Sequence, residues 1–201
     1  MPSPSGRGDF CNRPARFIRA WSERLSFNSL LKNAAKTGLV VAISLAALAI
    51  GGAAVFIGSG VYDIGADDHH TKPVLAVIEQ LREHSIEARA RTVEVHTVSD
   101  PARIAVGGQH YAALCVTCHL APGVTKSDIR PGLYPHPPNL AQGEMQAERR
   151  AFWIIKHGIK MSAMPAWGKT LDDAAIWELV AFVRKLPAMT PETYAELTNP
   201  R

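Results

Sequence analysis

From Thr37 to Tyr62 the chain carries no charged residue, and Gly38 to Gly60 reads GLVVAISLAALAIGGAAVFIGSG. About 20 apolar residues cross a ~30 Å hydrocarbon core as a helix. The run therefore predicts a transmembrane helix over 37–62, and its uncharged length argues against a buried core helix. Further on, Val74, Val77, Ile78, Leu81 and Ser85 recur at helical spacing among charged residues. That pattern predicts an amphipathic helix over 74–91, with Pro73 suited to its first turn. Residues 92–101 read as a linker, and Asp100-Pro101 opens the next domain. Beyond it, helices are expected at about 102–118, 146–157 and 171–186. A Pro/Gly-rich loop at about 121–143 separates the first two. Thr170 with Asp173 resembles a capping box at the start of the last helix, and Pro187 stops it. The pattern is all-α. It divides into an N-terminal segment (1–36), the apolar span (37–62), a juxtamembrane helix and linker (63–101), a helical domain (102–190) and a C-terminal tail (191–201).

Charge adds an orientation. Residues 1–60 hold seven Lys/Arg against two Asp/Glu, whereas 61–100 hold four against eight. Basic flanks stay on the cytoplasmic side. The N-terminus is thus expected inside and everything after Tyr62 outside, which in a bacterial inner membrane is the periplasm. A cleavable signal sequence is the competing reading, but its apolar region is usually 7–15 residues. No basic stripe of the kind that binds nucleic acid is evident. At 47% hydrophobic and 20% charged residues, the composition is that of a folded protein.

Three cysteines are too few for a disulfide framework. Cys115 and Cys118 are paired by spacing, and Cys11 stands apart across the apolar span. A two-residue spacer serves thiol exchange, half a zinc site or haem attachment, and His119 directly after Cys118 decides among them. Two thiols a helical turn apart can each add to one vinyl group of a haem, with the adjacent imidazole reaching the iron. A zinc site lacks two further ligands. A thioredoxin-like motif lacks its βαβ context.

With Gly107 and Tyr111 eight and four residues before Cys115, and Pro138-Asn139-Leu140 and Met164-Pro165 after it, residues 103–187 resemble class I cytochromes c. The likeness is strongest to the haem domains that serve alcohol dehydrogenases and haem–copper oxidases. The resemblance implies a cytochrome c fold, three main helices around one haem c bound through Cys115 and Cys118. Gly107 and Tyr111 would cross the last helix, which carries Trp177 and Phe182. By the same resemblance the Pro138 carbonyl accepts the His119 ring N–H, Leu140 packs on the haem, and Met164 is the second axial ligand.

Other donors compete for that position. Met161 is the rival thioether, although a methionine at a loop entrance more often fills a core. His136 and His157 would make a bis-histidine site. His69 and His70 beside Asp67 and Asp68 could hold a metal, but adjacent histidines on a polar loop are more often solvated. The expected function is one-electron transfer, not catalysis. Expected partners are an upstream dehydrogenase or quinol-oxidising complex and a downstream oxidase or soluble carrier. Lys126, Arg130, Lys156, Lys160 and Lys169 form either a docking patch or a scattered solvated face. A haem subunit built into a larger membrane oxidoreductase is the alternative. A haem enzyme or gas sensor would need an open sixth position.

Overall fold

The computed structural model describes the backbone of residues 13–143 and 146–199, and side chains from residue 30 onward. Two compact units divide it, 1–63 and 64–201. Every element is helical. Among the described residues there is no strand, only an isolated bridge between Ala121 and Val124.

The first unit is one helix, α1 (Arg13–Ser59). It starts well before the expected apolar boundary at residue 37, because no proline or glycine interrupts the chain between Pro14 and Gly38. Gly60, at φ +63°, takes the left-handed conformation that ends helices. Over Leu30–Ser59 the helix is long and apolar enough to cross a membrane, and no residue of it is buried by protein. A core helix of a soluble protein would be largely covered.

The second unit begins with α2 (Lys72–Ala90). Its buried residues, Ile86 and Ala90, continue a four-residue stripe through Ile78 and Arg82 that packs on α5 (Glu148–His157). The expected apolar face was rotated from this one. Val77 and Leu81 are 67% and 70% exposed. The neighbour chooses the face, and α5 takes the stripe whose small end, Ala90, allows close approach.

α3 (Pro101–Leu114) is capped by Asp100, whose carboxylate accepts from the Ala102 N–H at 3.0 Å. It crosses α6 (Asp173–Val183) at Gly107, where an added Cβ would lie 2.2 Å from the Glu178 carbonyl oxygen. Only glycine permits that approach. One turn on, Tyr111 meets Phe182 with ring centroids 5.5 Å apart, and both are fully buried. Trp177 lies elsewhere, stacked on Phe152 of α5 at 4.3 Å. It thereby ties α5 to α6. Large aromatic side chains of this kind each contribute roughly 1.5–3 kcal/mol by burial.

Two expectations about the C-terminal end are corrected. Asp172, not Thr170, caps α6, accepting from the Ala175 N–H at 2.8 Å, while the Thr170 hydroxyl donates to the Trp167 carbonyl. Residues 191–201, expected as a tail, contain a further helix, α7 (Pro191–Thr198). Thr190 caps it, and Tyr194 packs edge-on against Tyr111 in the core.

Candidate functional site

Cys115 breaks the helix after α3 and starts the single turn α4 (Val116–His119). The His119 and Cys118 N–H groups donate to the Cys115 carbonyl at 2.9 and 3.1 Å. This turn sets both thiols and the imidazole along one wall of a cavity of about 430 Å³. Both cysteines are half-buried. Burial, with Cys118 alongside, pushes the Cys115 thiol up to about 12. The third cysteine, Cys11, lies outside the described residues.

The loop at Pro138-Asn139-Leu140 holds His119 at two points. His119 Nδ1 lies 3.0 Å from the Pro138 carbonyl oxygen. A carbonyl can only accept, so Nδ1 carries the proton and Nε2 keeps its lone pair. The Leu140 N–H returns the contact, donating to the His119 carbonyl at 3.1 Å. Within the loop, Asn139 Oδ1 accepts from the Ala141 N–H at 3.0 Å and fixes the turn. Behind it, Arg130 donates to the Pro137 carbonyl at 2.6 Å. Burial, and the Arg130 charge, push the His119 imidazole below the usual histidine range, against the raising effect of the Pro138 contact. The ring is thus held neutral, as a ligand must be.

A residue not singled out from the sequence supports this turn from below. Leu120 has φ +60° and ψ −177°, a region that is essentially glycine's. The buried Tyr111 hydroxyl donates to the Leu120 carbonyl at 2.6 Å. That hydrogen bond and the burial of the Leu120 side chain hold the strained residue directly after His119. Tyr111 is therefore both a core aromatic and a brace for the histidine turn.

The candidate thioether, Met164, comes from the loop after α5. Gly158 ends that helix at φ +65°, and an added Cβ would lie 2.6 Å from the Met164 carbonyl oxygen. The chain turns back so tightly that the Ile159 N–H donates to the Met164 carbonyl at 3.2 Å, while Ser162 Oγ accepts from the Met164 N–H and donates to the Ile159 carbonyl. Met164 is half-buried and lines the cavity that Cys115, Cys118, His119 and Leu140 also line.

The rival donors are placed differently. Met161 is 83% exposed at φ +59° and fills no core, which corrects its reading as a packing residue. His157 lies tilted against Trp153, with ring centroids 4.9 Å apart. His69 and His70 meet the edge of Tyr134 at 5.0 and 5.3 Å. His136 does line the cavity, but as an exposed residue of its rim. Among the described residues no group of three or more His, Cys, Asp or Glu is placed to hold a metal ion. Two of the expected docking cations have partners within the domain. Arg130 is committed to Pro137, and Lys156 pairs with Asp173 at 2.6 Å above the Phe152 ring.

The cavity fits a haem in size and in chemistry. Its volume falls in the ~300–1,000 Å³ range of cofactor clefts. Leu114, Leu140, Ile154, Ile155 and Leu179 give it apolar walls suited to a flat macrocycle. An imidazole nitrogen, a thioether sulfur and two thiols are soft donors of the kind that hold haem iron and its vinyl groups. Residues 102–183 match the family described as cytochrome c oxidase, cbb3-type, subunit III. This segment is a c-type cytochrome domain, and such domains transfer electrons through haem. With the apolar α1 ahead of it, the chain fits a membrane-anchored mono-haem cytochrome c. Neither the curated proteins nor the solved structures yield a match to the chain.

Proposed function

We propose that this chain is a one-electron carrier held at the membrane by α1, with its single haem on the periplasmic side and no substrate chemistry of its own. Cys115 and Cys118 would attach the haem, and His119 Nε2 and the Met164 sulfur would hold its iron. One observation carries the reading. A neutral imidazole with its lone pair free, a thioether and two thiols line the same apolar cavity. When bound, the haem supplies a reversible ferric/ferrous couple.

The protein's residues set the conditions for that couple. Pro138 fixes the tautomer and direction of the His119 ring, which strengthens it as a donor. Gly158 and Ser162 fix the Met164 loop, so both donors are in place before any electron arrives. With His119 and Met164 both supplied by the chain, the two side chains would leave oxygen or substrate no position at the metal, which favours a carrier over an enzyme or sensor. A thioether ligand also raises the reduction potential. The seven basic residues before and within α1 and the acidic residues that follow support the inside-to-outside orientation.

Acidified acetone tests the attachment. The pigment is expected to stay with the chain after boiling, and pigment that washes free removes the proposal. In Met164→Ala the weak far-red charge-transfer band of the oxidised protein is expected to vanish, and its reduction potential to fall. A band that survives unchanged would show that another group ligates the iron. The exposed Val77 and Leu81 of α2 favour a second reading, a haem subunit of a larger oxidoreductase. Purification in mild detergent separates the two, since a subunit brings its partners and a carrier emerges alone.

A further inference from the structure

The cytochrome domain matched at 102–183 does not enclose its cavity alone. Arg82 and Glu83, on α2, line it as well. Arg82 Nε donates to Glu83 Oε1 at 3.0 Å, and the other oxygen of that carboxylate is taken by Arg150 of α5. Arg150 Nε donates in turn to Gln146 Oε1 at 2.7 Å. Arg150 is bound on both sides and only 18% exposed. Two guanidinium groups thus share one carboxylate, and one positive charge is left over. Burial alone would raise Glu83, but Arg82 and Arg150 hold it below the usual carboxylate range, so it stays ionised and the excess charge persists. The remaining arginine on the cavity wall, Arg184, is matched one to one with Glu148. Among the described residues the terminal nitrogens of Arg82 meet no acceptor.

A haem carries two carboxylates on the half of the macrocycle away from its vinyl groups. These carboxylates cannot be set against Leu140, Ile155 or Leu179 without a large desolvation cost. They must meet the charged margin of the cavity, and a guanidinium is the side chain whose planar fork matches a carboxylate.

We propose that Arg82, delivered by a helix outside the cytochrome domain, binds a haem propionate through its terminal nitrogens. Arg150 and Gln146 act as positioning residues, anchoring Glu83 so that the Arg82 side chain stays at the cavity wall. The inference rests on the haem reading of the cavity, and it makes α2 part of the cofactor site as well as part of the connection to the membrane.

The full-length protein in detergent provides the test, with Arg82→Gln, Arg82→Lys and Glu83→Gln compared with the parent. Haem content, read from the pyridine haemochrome, comes first. Haem absent from the parent overturns the reading of the cavity itself and leaves nothing for Arg82 to bind. With haem present, two measurements decide the role of Arg82. The resonance Raman bending mode of the propionate, sensitive to hydrogen bonding at that carboxylate, is expected to shift in Arg82→Gln and to lie nearer the parent in Arg82→Lys. The midpoint potential is expected to fall in Arg82→Gln, because a lost positive charge favours the ferric form. It should rise in Glu83→Gln, which removes a negative charge. Glu83→Gln and Arg82→Lys keep the test open if Arg82→Gln fails to accumulate. A propionate mode at the parent's position in the arginine variants overturns the contact, even where the potentials move, since a distant charge alone produces that result.

Discussion

Gly107→Ala is expected to melt roughly 10 °C below the parent protein. The new methyl group would lie 2.2 Å from the Glu178 carbonyl oxygen, 2.5 Å from its carbon and 3.0 Å from the Leu179 nitrogen. All three are backbone atoms of α6, so no side chain can swing aside. The helices must separate. Overpacking typically costs about 1–3 kcal/mol, and a contact between two backbones belongs at or above the upper end of that range. Alanine recovers up to ~1 kcal/mol of helix propensity, leaving a net loss of about 2 kcal/mol or more. At several degrees per kcal/mol for a unit of this size, the melting temperature carries a clear signal. Separation of α3 from α6 also loosens the contact between Tyr111 and Phe182, and with it the brace on Leu120. Gly132→Ala is the matched control, since nothing lies within 4 Å of its added methyl group. A Gly107→Ala protein that melts with the parent would mean that α3 and α6 do not meet at this point.

Gly158→Ala is expected to leave the helices folded and remove the sixth ligand. Its φ of +65° with ψ near −170° is a conformation that side chains strongly resist, at a cost of about 1–3 kcal/mol. The added methyl group would also lie 2.6 to 2.8 Å from Met164, Pro165 and Ala166 backbone atoms. A loop can move where a helix crossing cannot, so relief comes through displacement of 159–166. Under the proposed ligation, the far-red band of the oxidised protein disappears and reduced protein gains the ability to bind carbon monoxide. Helix content by circular dichroism stays near that of the parent. An intact band with parental carbon monoxide resistance would separate Gly158 from the placement of Met164.

The parts of this protein that were legible from sequence are those written in local chemistry. Cys115, Cys118 and His119 need only one turn of backbone to share a wall, and their spacing states that directly. The apolar span is legible for a similar reason, because an unbroken uncharged run forms a long apolar helix whatever the rest of the fold does. The crossing of Gly107 and Tyr111 with the last helix is implied by the family resemblance, and Gly107 meets Glu178 and Tyr111 meets Phe182 there, but Trp177 goes to Phe152 instead. What stayed hidden depends on contacts between distant segments. The rotation of α2 is set by α5, and the sequence of α2 alone, apolar on two adjoining stripes, does not choose between them. Tyr194 lies in a short helix whose stability comes from Tyr111 and Phe182, not from its own eight residues. Its start was nonetheless visible in Thr190-Pro191, a cap followed by a first-turn proline. Gly158 was visible in the same way, as a glycine after Lys156-His157 at the end of a periodic segment.

The packing of α2 on α5 decides where the chain can be trimmed. A fragment begun at residue 102 keeps Cys115, Cys118, His119 and Met164 yet loses Arg82 and Glu83 from the cavity wall and strips the cover from α5. It would hold its pigment in a vessel with one side broken away, wetter and with an altered potential. A fragment begun at Ile64 dispenses with the greasy tether and keeps the vessel whole.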